Sequence, residues 1–557
     1  MIVITLAVLG AIYLVYRAIC PKPIPGIPYN ASAIRSPLGD VPGMIRDITS
    51  TPGLYFNDWC AKQSQKLNSP LCQVFLTPFS KPILLLADYD EALDIGSRRT
   101  DDFDRGTFMA DSFAAFGNFH TRMPTGPEFK ASRRWLQDLM APSFLNGFVA
   151  PTTYALVSRL VELWRTKARL AGDKPFSAGT DLDRANFDIM ARFFFGEHFG
   201  RSSIDAQIEL LSDEKAPEVG PRGEAVFPEG AIDSVFYTLH DAGRTVTQMM
   251  TSLWPKLTLH WIPWTAGYRR IQATKRQLTR DQVQKSIKRV RAGEKSAGID
   301  YMLSRELAVA EQEGREPDFY NDMIMAEFLG IAYAGMDTTE ANISWALKFV
   351  IKHPKVQENL RHALHSAYPL AVQENRLPTV AEFLRSTSIP YLDALIEETI
   401  RLHPVLSTRD AIRDTEILGH HVPKGTTVFL LPNGPSFLSP PFPIAENKRS
   451  STTRVVKPSK KWNETDMASF NPERWLVRNA QRDVEFDSTA GPQSGFGHGP
   501  RACWGKREAY LRMRIALTLL VWSFDFLEVP ESMSSMVARP VFVHTPEEIF
   551  IRPRPRV

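Results

Sequence analysis

The chain has 557 residues, of which 43% are hydrophobic, and a formal net charge of +4. A charge so close to balance gives no general case for nucleic-acid binding. The four cysteines (Cys20, Cys60, Cys72 and Cys503) form no CxxC pair and no disulfide framework, so a large apolar core in a reducing compartment is expected.

Residues 1–20, "MIVITLAVLGAIYLVYRAIC", are apolar and uncharged up to Tyr16. That falls just short of the ~20 residues that span a bilayer, and Arg17 can snorkel to complete the span. No basic segment precedes the run and no small-x-small cleavage site follows it, which disfavours a signal peptide. Arg17 and Lys22 lie on its C-terminal side, so the positive-inside rule puts the body in the cytoplasm. A single-pass anchor is expected over 1–20. Residues 21–29, "PKPIPGIPY", predict a stiff proline-rich stand-off or hinge.

From residue 30 to 557 there is no repeat and no linker between two cores, which predicts one large domain, mainly α with small β-sheets. "KPILLLADYDEALDIG" (81–96) reads as a strand and then a helix. Helical spacing runs through 129–145, 154–170 and 187–196. Pro and Gly mark 217–230 as a loop, and 273–295 as a whole reads as a basic surface helix. Strand signals return at 421–431 and 541–552. Residues 322–351, "DMIMAEFLGIAYAGMDTTEANISWALKFVI", are apolar or small on every side, which predicts a long buried central helix that ends before His353-Pro354. Asp337 and Glu340 argue against its crossing lipid. Gly335, Asp337 and Thr338 sit near its middle; they fit close helix packing and a functional site about equally.

The segment "GFGHGPRACWG" (495–505) has the glycine content of a phosphate loop but the wrong spacing. Between Gly499 and Gly505 stand five residues rather than four, Arg507 follows Lys506 where Ser or Thr is needed, and Pro500 takes the third glycine of a dinucleotide loop. No second cysteine or close histidine supports zinc. What remains is Cys503 at a loop-to-helix junction. There the helix terminus and Arg501 lower a thiol pKa. A thiolate nucleophile would need a base, and none is identifiable; an axial thiolate on haem iron fits better.

These residues resemble the cytochrome P450 monooxygenases. "FGHGPRACWG" (496–505) matches F-x-x-G-x-R-x-C-x-G at every fixed position, and "EETIRLHP", "FNPERW", "AGMDTT" and "HVPKGTTV" match further marks of the family. Two marks depart from it: Phe129 stands where a Trp four residues before Arg133 is common, and Arg512 stands where a Glu commonly follows Ala509. Residues 440–462 look like a basic surface insertion.

The resemblance implies the P450 fold and haem b, with Cys503 as axial iron ligand donating electron density that favours O–O cleavage. Phe496, Gly499 and Gly505 would surround the cofactor, and Gly335 would leave room for dioxygen. Arg501 and Arg133 would bind the propionates, with Arg409 a third candidate. Asp337 and Thr338 would relay protons. Glu398, Arg401 and Arg474 would form a structural network. Electrons would come from NADPH through a membrane-bound NADPH–cytochrome P450 reductase, attracted by Lys506, Arg507, Arg512, Arg514, Lys130 and Arg134. The substrate would be a hydrophobic small molecule, such as a terpenoid or polyketide, in a fungal-type enzyme anchored in the endoplasmic reticulum with its domain cytoplasmic. Its walls would come from 104–128, 200–260, Ala334, the residues after Pro404, and Phe542. A haem-thiolate isomerase or dehydratase and a haem-binding sensor are the alternatives, and the Asp337–Thr338 pair argues against both.

Overall fold

A computed structural model describes every residue except 1, 79, 198, 214, 253, 387, 455–461, 463–464, 541–542 and 557. The first helix, α1 (Ile2–Ile19), leaves Ile4, Leu9, Ile12 and Leu14 exposed. Among the described residues no helix is long and apolar enough to cross a membrane, so the transmembrane span expected over 1–20 is not shown. The proline-rich stretch does not stand off from the body. Gln73 Nε2 donates to Ile24 O at 2.9 Å and Ile27 O at 2.7 Å, and both isoleucines are buried.

Five further helices position the site: α2 (Pro127–Leu136), α3 (Gly179–Phe195), α4 (Asp322–Lys352), α5 (Pro390–Leu402) and α6 (Lys506–Ser523). The continuous helical pattern over 129–145 does not survive as one helix. α2 tightens into a 3-10 turn at Gln137–Met140, Pro142 starts a new short turn, and a π-turn at Leu145–Val149 leads into the helix Ala150–Ala171. The proline has no amide to continue the ladder and drives Ala141 to extended backbone, which the apolar spacing conceals.

Helix α4 has 31 residues, so its length is about 46 Å. Asn321 caps it through Met323 N–H, and its pattern ends at His353 before Pro354, as expected. The N-terminal half packs Ile324, Phe328, Leu329 and Tyr333 into a phenylalanine-rich cluster with α2 and α3. The C-terminal half packs Leu347, Val350 and Ile351 into a second cluster with α5 and α6. Being apolar all round is thus explained by burial from both sides.

The main sheet has strands β1 (Leu71–Val74), β2 (Ile83–Leu86), β3 (Phe103–Arg105), β4 (Ser407–Ala411) and β5 (Thr427–Leu430) in the order β1-β2-β5-β4-β3. β5 runs parallel to β2 and the other pairs are antiparallel. Its register sets Arg105 opposite Arg409. A second sheet joins Phe524–Leu527, Phe550–Pro555, Phe176–Ser177 and a short hairpin formed by Glu218–Val219 and Ala225–Val226 inside the expected 217–230 loop. Part of the expected insertion, 455–461, lies outside the described residues, as does Phe542.

Candidate active site: a thiol cavity between two helices

The cysteine loop is held by its own backbone. Gly497 N–H donates to Ser494 O at 2.9 Å, Ala502 N–H to Gly499 O at 3.0 Å, and Cys503 N–H to Phe496 O at 2.7 Å. Cys503 lies deep in the molecule, yet its side chain is accessible because it opens onto a cavity. Counted out to its mouth, the space free of protein atoms is about 1620 Å³. Helix α4 supplies Ala334, Gly335 and Thr338 to the wall; the loop supplies Phe496, Cys503 and Gly505.

Gly499 does not line this cavity. Its φ is +63°, and a Cβ there would meet Gly96 O at 2.3 Å and Ser97 Cα at 2.6 Å, so the glycine is required by a backbone crossing rather than by a cofactor. The lowered thiol pKa expected for Cys503 is also not found: burial pushes the thiol up, and the Gly505 N–H, Lys506 and Arg133 only partly offset it. Coordination to a metal would ionise such a sulfur directly.

Arginines crowd the cavity edge. Arg105, Arg133 and Arg501 line it. Arg409, the third candidate, stands just behind, with Nη2 3.4 Å from His498 O. Burial and neighbouring arginines hold Arg105 down at about 9 and Arg409 at about 10; burial brings Arg501 to about 10. Like charges directly opposite in a ladder, as at Arg105 and Arg409, are unfavourable unless an anion joins them. Asp104 is the carboxylate that acts on Arg105, Arg409 and Arg501. A thiol at the wall and surplus cations at the edge fit a flat iron-bearing ring with carboxylate arms. Phe129, in place of the common Trp, stacks under Arg501 with Cζ 4.1 Å from the ring centroid, and under Arg133 at 5.6 Å.

The two proposed proton carriers part company. Thr338 faces the cavity, its Oγ1 donating to Ala334 O at 2.8 Å. Asp337 does not line it. The carboxyl turns toward Tyr333, Asp183 of α3 and Glu340, and burial pushes Asp337 up to about 6. Burial together with Asp337 pushes Asp183 up to about 7. Gly335 borders the cavity, and a Cβ there would meet Met190 Cε at 2.5 Å, the far end of a flexible side chain on the facing helix α3; the Gly335 carbonyl accepts from Arg512 Nη1 at 3.0 Å.

The structural network is complete. Glu398 accepts from Arg401 Nε and Nη2, each at 2.8 Å, and from Arg474 Nε at 3.0 Å. Trp475 Nε1 at 2.9 Å and Asn471 N–H at 3.0 Å supply two further donors that the sequence reading missed. Arg512 is buried and pairs with Glu508, a cavity residue also missed, at 3.0 Å; it therefore leaves the basic face. Arg514 faces Asp393 at 3.4 Å. Lys506, Arg507, Lys130 and Arg134 remain exposed around the cysteine side.

Of the expected substrate walls, Phe113 and Phe119 line the cavity, whereas Phe116 stacks on Tyr333 at 4.6 Å and Phe108 packs on Phe429. Val405 and Leu406 after Pro404 line it as expected; among the described residues, none from 200–260 does.

The cytochrome P450 family model matches residues 60–434 and 457–552, and the chain belongs to that family. It is 39% identical to the cytochrome P450 monooxygenase xilC of Penicillium rubens over 94% of this chain and 91% of that protein. It is 34% identical to the cytochrome P450 monooxygenase TRI13 of Fusarium sporotrichioides over 97% of both chains, and 33% identical to GME11363 of Pestalotiopsis microspora over 99% and 97%. It is a haem-thiolate monooxygenase acting on a small molecule.

Proposed function

We propose that Cys503 is the axial ligand of haem b and that the chain inserts one oxygen atom of O2 into an apolar secondary metabolite. The observation that carries this reading is a single cavity walled by the Cys503 thiol and Thr338 and edged by Arg105, Arg133 and Arg501. When bound, the haem supplies oxygen activation, and the thiolate strengthens O–O cleavage. The protein does the rest. Arg133 and Arg501 hold carboxylate arms by charge-assisted hydrogen bonds. Thr338 places a hydroxyl at the cavity wall, and Asp337, the preceding residue on α4, holds a carboxyl behind it that burial keeps ready to carry a proton. Phe113, Phe119, Met109, Ile331 and Leu406 orient an apolar substrate, which suits a terpenoid or polyketide.

Electrons come from NADPH through a cytochrome P450 reductase that docks on the exposed Lys506, Arg507, Lys130 and Arg134. α1 attaches the protein to the endoplasmic reticulum membrane with the domain cytoplasmic. Its exposed apolar side chains support this, as do the exposed Trp254, Leu257, Trp261 and Trp264 on a second stretch. The test is the optical spectrum of the reduced, carbon-monoxide-bound protein beside Cys503→Ser. A red-shifted Soret band lost in the variant is expected; a histidine-type band in the wild type overturns the assignment.

A further inference from the structure

The fully buried Glu327 of α4 belongs neither to the acid group around Asp337 nor to the Glu398 network. Its Oε2 lies 2.7 Å from His120 Nδ1, and its Oε1 accepts from the backbone N–H of His120 and from Ser132 Oγ of α2. Three donors converge on one carboxylate. A carboxylate on Nδ1 fixes the ring: Nδ1 carries a proton, and Nε2 is left for the other side. On that side, among the described residues, Nε2 meets only Thr121 Oγ1, at 3.4 Å, too long to compete with a charged partner. The His120 side chain is 14% exposed, and it lines the thiol cavity. With both ring nitrogens protonated, the imidazole donates to Glu327 through Nδ1 and to an acceptor in the cavity through Nε2.

The neighbours place the residue at the arginine edge of the cavity. The carbonyl of His120 accepts from Arg501 Nη2 at 3.3 Å, and that of Thr121 from Arg105 Nε at 2.6 Å. The His120 ring is 6.4 Å from that of Phe129, the residue that lacks the indole N–H common at its position. One donor has gone from this edge, and another, aimed from the central helix, stands beside the gap.

We infer that His120, oriented by Glu327, is a cofactor-holding residue that donates from Nε2 to a haem propionate and supplies the hydrogen bond Phe129 cannot make. The inference rests on the haem reading above. Glu327 is a positioning residue: it reaches the cofactor only through the imidazole.

The test is the rate at which haem leaves the holoprotein for an excess of a tight haem-binding acceptor protein. His120→Phe is expected to lose haem about tenfold faster or more, the size of one charge-assisted hydrogen bond. His120→Gln, which keeps an amide donor at a similar reach, is expected to stay within about threefold of the wild type. Glu327→Gln, which keeps the shape and removes the counter-charge, is expected to fall between them, and Phe129→Trp on the His120→Phe background is expected to slow the loss again. Reconstitution with haem dimethyl ester separates this from loss of packing, because with the carboxylates masked His120→Phe and wild type are expected to release the ring at the same rate. A His120→Phe rate equal to wild type with ordinary haem overturns the inference, as does an equal acceleration in His120→Gln or an acceleration that persists with the ester. A wild type without a thiolate-type spectrum overturns the haem reading and this inference with it; a normal spectrum with unchanged loss rates overturns this inference alone.

Discussion

Glu398 has no exposed surface and is surrounded by donors from α5 and from the 470–475 turn. Replacing it with Ala leaves the Arg401 guanidinium buried without its anion, a loss of about 3–5 kcal/mol, and leaves Arg474 its longer contact with the Asp466 carboxylate at 3.4 Å. Glu398→Ala is expected to yield protein with little or no haem, measured as the haem-to-protein ratio; a normal ratio would remove the structural assignment. Asp337 and Asp183 make the opposite statement about charge. Burial raises both above the ordinary carboxylate value of about 3.9, to about 6 and about 7. Between about pH 4 and pH 7 the folded chain therefore holds protons that the unfolded chain has released, and stability falls as pH rises through that window. His240 and His498, lowered to about 4 by burial, slope the other way, but they are common to both proteins in a comparison. Asp183→Asn, with Tyr333, Glu340 and Arg539 still around Asp337, is expected to flatten the decline of the urea midpoint from pH 4 to 7. An equally steep decline would show that Asp183 ionises freely.

At the scale of elements, the same residue type answers to two kinds of neighbour. A Cβ on Gly335 meets the end of a flexible Met190 side chain, which can move. Gly335→Ala is expected to cost about 1–3 kcal/mol, with favourable coupling to Met190→Ala in a double-mutant cycle of thermal or urea unfolding. Additive effects would mean that α3 and α4 do not press on each other there. What was legible in the sequence follows the same division between local and distant partners. Cys503, Arg501 and the Glu398–Arg401 pair lie within short segments whose spacing carries their geometry, and the all-round apolar run of α4 showed both its length and its end. Arg105 was illegible because its place at the cavity comes from pairing β3 with β4, some three hundred residues away in the chain. Asp337 was legible as a residue but not as a direction: helical spacing does not say which of two adjacent polar side chains faces the cavity. The helix expected over 129–145 failed at Pro142, a local signal outweighed by apolar spacing.

For the whole molecule, α1 differs from the other helices named here in presenting its large apolar side chains outward. Removing residues 1–19 is expected to leave the carbon-monoxide spectrum unchanged and to weaken flotation with phospholipid vesicles, since the thiol cavity takes no residue from that segment. Unchanged flotation would assign membrane contact to the tryptophan-rich stretch 254–264 instead, and a lost spectrum would show that α1 helps the domain fold.

The facing of Arg105 and Arg409 across the edge of the main sheet has a meaning for the life of the chain in a cell. With Asp104 as the carboxylate acting on both, β3 is an edge strand whose pairing a further anion would strengthen, and an edge that opens offers its backbone to chaperones and proteases. A ligand that binds only the folded form protects it by mass action. Haem supply is therefore expected to lengthen the half-life of the chain in a cell, and equal half-lives in haem-starved and haem-supplied cells would count against it.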